Sequence, residues 1–253
     1  FVAFQSSASN LVPGDGNGVE DVFVFDRGIS PAAPSTMMVS RTPAGVPANG
    51  ASRSPAISQC MPDQRCAVAF VSTATNLHAS GSDGKSHVYR WSHPNGEIER
   101  MDCSSSTPQL AHKGDASSPS IGAMGFWVAF TATVEGEEST SVLLSSGDCS
   151  VQLDSTSMPR SDGADFEPVV TEFGDYYPRV VYTTTATNVI PGQHLSGRNV
   201  VMSVDGVRRL LSGGEFSGRS HSPAIGASEG SAASSFVVAF VASPTGDIDP
   251  EEG

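Results

Sequence analysis

One apolar run recurs five times along this chain, and that recurrence limits what the chain can fold into more than any other feature does. The run is FVAF at Phe1–Phe4, CAVAF at Cys66–Phe70, FWVAF at Phe126–Phe130, RVVY at Arg179–Tyr182 and FVVAF at Phe236–Phe240. Two further markers keep step with it. A Pro-containing segment comes before four of the copies: Ser54-Pro55-Ala56-Ile57, Ser118-Pro119-Ser120-Ile121, Glu167-Pro168-Val169-Val170 and Ser222-Pro223-Ala224-Ile225. An Ala-x-Asn step follows three of them, at Ala8-Ser9-Asn10, Ala74-Thr75-Asn76 and Ala186-Thr187-Asn188. Three markers in fixed order, recurring every ~50–65 residues, identify a repeat protein.

Each full unit reads as four short strands separated by Gly, Pro, Asp and Asn clusters. In the second unit these are Pro55–Ser58, Cys66–Ser72, His87–Trp91 and Ile98–Asp102. In the third, Phe126–Thr131 is the apolar strand. The second strand of a unit is almost wholly apolar and is expected to be buried on both faces; the last carries polar side chains such as Arg208 and Arg209 and is expected at an edge. Pro is expected at the start of the first strand, where its missing N–H costs no ladder bond. Four antiparallel strands per unit predict an all-β protein: a β-propeller of four-stranded blades, with four blade intervals and a half-blade at each end. A β-solenoid is the rival architecture, and its coils repeat at shorter periods. Residues 1–253 form a single propeller domain on this reading, or the larger part of one. The chain opens on Phe and stops where a third strand is due, so an excerpt of a longer protein is expected, with self-association through the half-blade ends as the alternative.

Composition narrows the function. The net charge is −13, with 14 Lys and Arg against 27 Asp and Glu. Lysine occurs only at Lys85 and Lys113 and the arginines are scattered, which argues against nucleic acid and anionic membranes. No apolar run approaches the roughly 20 residues of a membrane span. The four cysteines, Cys60, Cys66, Cys103 and Cys149, lack zinc-site spacing and are expected as disulfides, hence an extracellular, cell-surface or periplasmic location. Cys60 with Cys66 would clip a hairpin, and Cys103 with Cys149 would join neighbouring units.

The order S-P-x-I-S, V-A-F-x-S, A-x-N-L-V, G-D-x-N-x-x-x-D-V-F-V, D-R resembles the TolB-like propeller repeat, related in shape to WD-repeat blades. Residues 1–27 match it nearly end to end, and the third unit departs most because it lacks the Asn-Leu step. Members of such families range from periplasmic binding modules to surface proteins and appendages on peptidases, so the resemblance implies a fold and no single activity.

The best candidate for chemistry is the turn Gly14–Asp21. Asp15, Asn17, the Val19 carbonyl and Asp21 are expected to hold calcium, an ion that takes oxygen ligands from tight acidic turns. Asp247, Asp249 and Glu251 occupy the corresponding stretch of the last unit and form a weaker candidate. Gly226-Ala227-Ser228-Glu229-Gly230 spells a hydrolase elbow but is expected to be loop, with no helix after it. Asp162, Asp165, Glu167 and Asp175 make an acidic region in which a pair of carboxylates would suit a glycosidase. The expected function is a non-enzymatic propeller acting as a structural or interaction module, with a protein or glycan partner on one face and calcium as a stabilising ion. A carbohydrate-active enzyme, or the propeller portion of a larger hydrolase, is the alternative.

Overall fold

The computed structural model describes residues 1–28, 33–61, 63, 65–79, 83–102, 115–133, 139–147, 151–153, 162–172, 178–213, 220–228 and 235–242. Among them the regular structure is all strand, in five antiparallel sheets that follow one another in chain order. Sheet one is β1 (Val2–Ser6), β2 (Asp21–Asp26) and β3 (Ser35–Met38). Sheet two is β4 (Ser52–Ile57), β5 (Cys66–Ser72), β6 (His87–His93) and β7 (Glu97–Arg100). Sheet three is β8 (Ser117–Ile121), β9 (Val128–Thr133), β10 (Thr140–Ser145) and β11 (Val151–Leu153). Sheet four is β12 (Asp165–Thr171), β13 (Arg179–Thr184), β14 (Asn199–Val204) and β15 (Val207–Leu210), and sheet five is β16 (Ser220–Ser228) with β17 (Ser235–Ala242).

The alternation of side chains along a strand explains why the apolar run carries no polar face. In β5 all seven residues are buried. Ala67, Ala69 and Val71 pack with Val128, Phe130 and Leu143 of sheet three, whereas Val68 and Phe70 pack with Val22 and Val24 of sheet one. β13 divides the same way: Val180 and Tyr182 meet Ala129, Val142 and Leu144 of sheet three, and Val181 meets Ile225 and Val238 of sheet five. The core is therefore four layers, each lying between consecutive sheets. Each fully buried Val or Phe in these layers contributes about 1.5–3 kcal/mol relative to exposure.

Neighbouring sheets are joined by a recurring bond. The chain entering a first strand donates a backbone N–H to the residue that precedes the strand next after the apolar one in the sheet before it: Ser52 to Glu20 at 2.7 Å, Ala116 to Ser86 at 3.0 Å and Ser220 to Arg198 at 3.0 Å. The Ala-x-Asn marker has a matching structural role. Asn76 Oδ1 accepts from Asn49 N at 3.0 Å and Asn188 Oδ1 from Asp162 N at 3.3 Å, fixing the loop that leads into the first strand of the same sheet. Gly50 and Gly163 lie against this step. A Cβ on Gly50 would come within 2.8 Å of Ala74 N, and one on Gly163 within 2.6 Å of Ala186 Cα.

Two expectations are corrected here. Proline does not start the first strand. β4, β8 and β12 begin two or three residues earlier, and Pro55, Pro119, Pro168 and Pro223 each sit at a shift of register inside the strand. The residue before each proline has a left-handed backbone, with φ of 54° at Ser54, 50° at Ser118, 54° at Glu167 and 50° at Ser222. A bulge is another place where a strand tolerates the missing N–H, and the unit repeats that bulge four times. Gly226, Ala227 and Ser228 are likewise in β16 and not in a loop, while Glu229 and Gly230 lie outside the described residues.

Candidate functional site

The Gly14–Asp21 turn delivers Asp21 to the start of β2, where it is fully buried. Ser40 Oγ donates to Asp21 Oδ1 at 2.6 Å and Asn17 Nδ2 to Asp21 Oδ2 at 2.7 Å. Asn17 Nδ2 also reaches Ala48 O at 2.9 Å, and Asn17 Oδ1 accepts from Val19 N at 3.2 Å. Burial raises the Asp21 carboxyl above its ordinary range, the Ser40 and Asn17 bonds oppose this, and the nearby Asp15 charge adds to the rise. As the side chains stand, both oxygens of Asp21 and the oxygen of Asn17 are taken by protein donors. An ion here would have to replace the Asn17–Asp21 bond and recruit Asp15. Asp247, Asp249 and Glu251 lie outside the described residues.

Cys60 and Cys66 flank a turn closed by Met61 N donating to Arg65 O at 2.9 Å, but the disulfide expected between them is not formed here. Both are free thiols, and they interact with one another. Burial, followed by the Cys60 thiol, pushes Cys66 up to about 12. Cys103 and Cys149 lie outside the described residues.

The acidic region is divided among structural bonds. Asp162 accepts from Thr187 N at 2.6 Å and Thr187 Oγ1 at 2.5 Å, and Glu167 Oε2 accepts from Ser222 N at 2.7 Å and Thr183 Oγ1 at 2.9 Å. Asp165 is buried at the head of β12, and Asp175 is not among the described residues.

The structure draws attention to a different place: the hairpin Gly122–Trp127 between β8 and β9. Gly122 N donates to Trp127 O at 2.9 Å and Gly125 N to Gly122 O at 3.0 Å. Gly125 has φ of +80°, and a Cβ there would meet Ala67 Cβ at 3.1 Å, so both conformation and space call for glycine. Two buried charges from adjacent sheets grip this turn from opposite sides. From sheet two, Arg90 Nη1 donates to Gly125 O at 3.1 Å and Phe126 O at 2.9 Å, while its Nη2 bonds Glu99 Oε2. From sheet four, Glu172 Oε1 accepts from Phe126 N at 3.1 Å. Burial pushes the Glu172 carboxyl up, against the backbone N–H groups of Phe126, Met124 and Trp127 that hold it down. Gly122 makes room for that carboxylate, since a Cβ at this position would lie 2.8 Å from Glu172 Cδ.

What the clamp presents is apolar. Phe126 is 56% exposed and Met124 53%, and across the adjoining cavity Met61 is 42% exposed. This corrects the reading of Phe126–Thr131 as a buried strand, because β9 starts only at Val128. The equivalent position in sheet two is Cys66, which is buried. The longer connection Gln59–Arg65 precedes Cys66, whereas the short turn before Phe126 leaves its ring uncovered. The compressed spacing between Ile121-Gly122 and Phe126 was the available sequence signal.

No protein-family model matches the chain, and no curated protein does. Among solved structures it is similar to the crystal structure of TolB from Acinetobacter baumannii, at 14% identity and a TM-score of 0.43. That likeness covers 88% of this chain and 46% of that one, so the chain spans less than half the length of that structure.

Proposed function

We propose that the five sheets are blades of a β-propeller, and that the chain is a non-enzymatic interaction module, extracellular, at the cell surface or periplasmic. Its partner, a protein or glycan, is held on the face that carries the Gly122–Trp127 hairpin. The observation behind this reading is that two buried, oppositely charged side chains, Arg90 and Glu172, immobilise a turn whose tip exposes Met124 and Phe126. Desolvating charges is costly, so a clamp of this kind favours one geometry for the exposed side chains before any partner arrives. Exposed apolar side chains on a rigid frame are the usual centre of a recognition surface.

The test is a display selection for binders against the purified chain, repeated against the double variant Met124→Asp, Phe126→Asp with its fold checked by circular dichroism. Binders that prefer the native chain are expected to lose it on the variant. Selected binders that hold both proteins equally would place recognition elsewhere.

Calcium belongs to the same proposal. Asp15, Asn17, the Val19 carbonyl and Asp21 would supply its oxygens, and the ion would tie the loop before β2 to the sheet. Excess EGTA should then lower the melting temperature. An unchanged melting curve, with no calcium found by elemental analysis, removes the ion from the account.

A further inference from the structure

A cavity of about 300 Å³ lies between sheets one and two, where the loop that leaves sheet one meets the Pro94-Asn95-Gly96 turn joining β6 to β7. Trp91 lines it although the residue is only 2% exposed. Its indole Nε1–H has no acceptor among the described residues, and it is not one of the sealed polar atoms. The nearest atom to a Cβ built on Gly96 would be that nitrogen, at 3.9 Å, which places the donor beside the turn. A buried N–H that no protein group satisfies is uncommon, and at a cavity wall it takes its acceptor from what enters. Arg41, from the facing loop, is exposed, and its guanidinium has no partner among the described residues.

Side-chain alternation explains why no acid meets these donors. Trp91 and Ile98 point into the layer shared with sheet one, so Arg90, Glu97 and Glu99 fall on the side of sheet three, where Glu99 holds Arg90. None of the described residues lining the cavity is Asp or Glu, in a chain with 14 Lys and Arg against 27 Asp and Glu. Two donors that cannot accept, Trp91 and Arg41, therefore stand at one small cavity with no competing carboxylate. We infer that this cavity binds an acidic sugar residue, its carboxylate on Arg41 and Trp91 and its ring against Met37, Pro43 and Pro94. The inference rests on the glycan arm of the interaction reading above. The site belongs to the same face, because Pro94 and Asn95 also line the cavity beside Met124 and Phe126. A planar guanidinium matches a carboxylate, and the Asn95 amide can both donate to and accept from ring hydroxyls. The volume is at the small end of ligand pockets, which suits one sugar ring and leaves a lone side-chain carboxylate with most of the wall unfilled.

Titration of the isotope-labelled chain with sodium D-glucuronate tests this directly, because the chain has two tryptophans and so two indole N–H signals. Trp91→Phe identifies which is which. The Trp91 signal is expected to shift at millimolar glucuronate while that of Trp127 stays in place, and D-glucose should bind at least tenfold more weakly. Arg41→Met should weaken glucuronate at least tenfold and erase its advantage over glucose, while Arg65→Met should change nothing. The assignment is overturned by a Trp91 signal that does not move, by equal binding of glucuronate and glucose, or by an acid preference that survives Arg41→Met. It is overturned as well if acetyl-Asp-amide or inorganic sulfate binds as tightly as glucuronate, since the sugar ring would then contribute nothing. Should glucuronate fail while selected binders still depend on Phe126, the acidic-sugar assignment falls and the interaction surface stands.

Discussion

Sheets two and four solve the same structural problem with opposite chemistry. At the start of the strand next after the apolar one, one buried side chain must hold the segment that leaves the strand following it. In sheet four this is neutral: Ser212 Oγ donates to Asn199 Oδ1 at 3.2 Å, and Val200 N donates to Ser212 Oγ at 2.9 Å. In sheet two it is charged. His87 Nδ1 lies 2.8 Å from Asp102 Oδ2 and Nε2 lies 3.1 Å from Asp83 Oδ1, and Arg100 Nε donates to Asp102 Oδ1 at 2.7 Å. Sheet one stands between them, with Asp21 and Ser40 at the same two positions and Val22 N donating to Ser40 Oγ at 3.0 Å. The unit thus requires a polar pair at this corner and is indifferent to its charge. Asp21 has a structural reason to be where it is, whatever the loop before it binds.

This comparison can be broken by substitution. The largest effect is expected for His87→Ala, which empties a fully buried site and removes the ring's bonds to Asp102 and Asp83 while Arg100 stays on Asp102, and should cost about 3 kcal/mol in urea unfolding. The double variant His87→Asn, Asp102→Ser rebuilds the sheet-four pair in sheet two and should recover part of that loss; a double variant no better than His87→Ala would show that the corners are not interchangeable. Next comes Asp21→Ala, which leaves the Ser40 and Asn17 donors without their acceptor, at about 2 kcal/mol. Ser212→Ala in the neutral corner should cost about 1 kcal/mol, and a loss as large as that for His87→Ala would erase the distinction between charged and neutral corners.

The smallest effect sharpens the middle case. The raised pKa of Asp21 means that the folded chain holds this proton more tightly than the unfolded chain does. Its contribution is full below the ordinary value of 3.8 and is lost as pH rises through the elevated one. Native stability measured relative to Asp21→Asn should therefore fall between acid and neutral pH. A difference that stays flat, or rises, would show that Asp21 sits in a more polar setting than the structure gives it.

Much of the fold was legible because its signals are periodic. The apolar run appears five times, and the strand Cys66–Ser72 begins and ends where composition places it. The Ala-x-Asn marker was visible as a repeat, but its capping role was not, since Asn76 acts on a residue 27 positions earlier. The bulge was hidden because Ser54-Pro55 reads as a strand start unless the left-handed φ is known. Phe126 was hidden by its own hydrophobicity. A Phe-Trp-Val-Ala-Phe run looks like core throughout unless the short spacing from Ile121-Gly122 is weighed, and the side chains that hold the resulting turn, Arg90 and Glu172, are distant from it in sequence.

The layered core has a mechanical corollary. Every sheet is made from one contiguous stretch and shares its packing only with the sheet before and the sheet after, so the molecule is wired in series. Damage to one sheet should loosen its two neighbours and leave more distant ones standing. The turn at Gly122–Trp127 is where that series wiring is tightest, because the sheets on either side of sheet three both hold it, and a disturbance there would reach both neighbours at once.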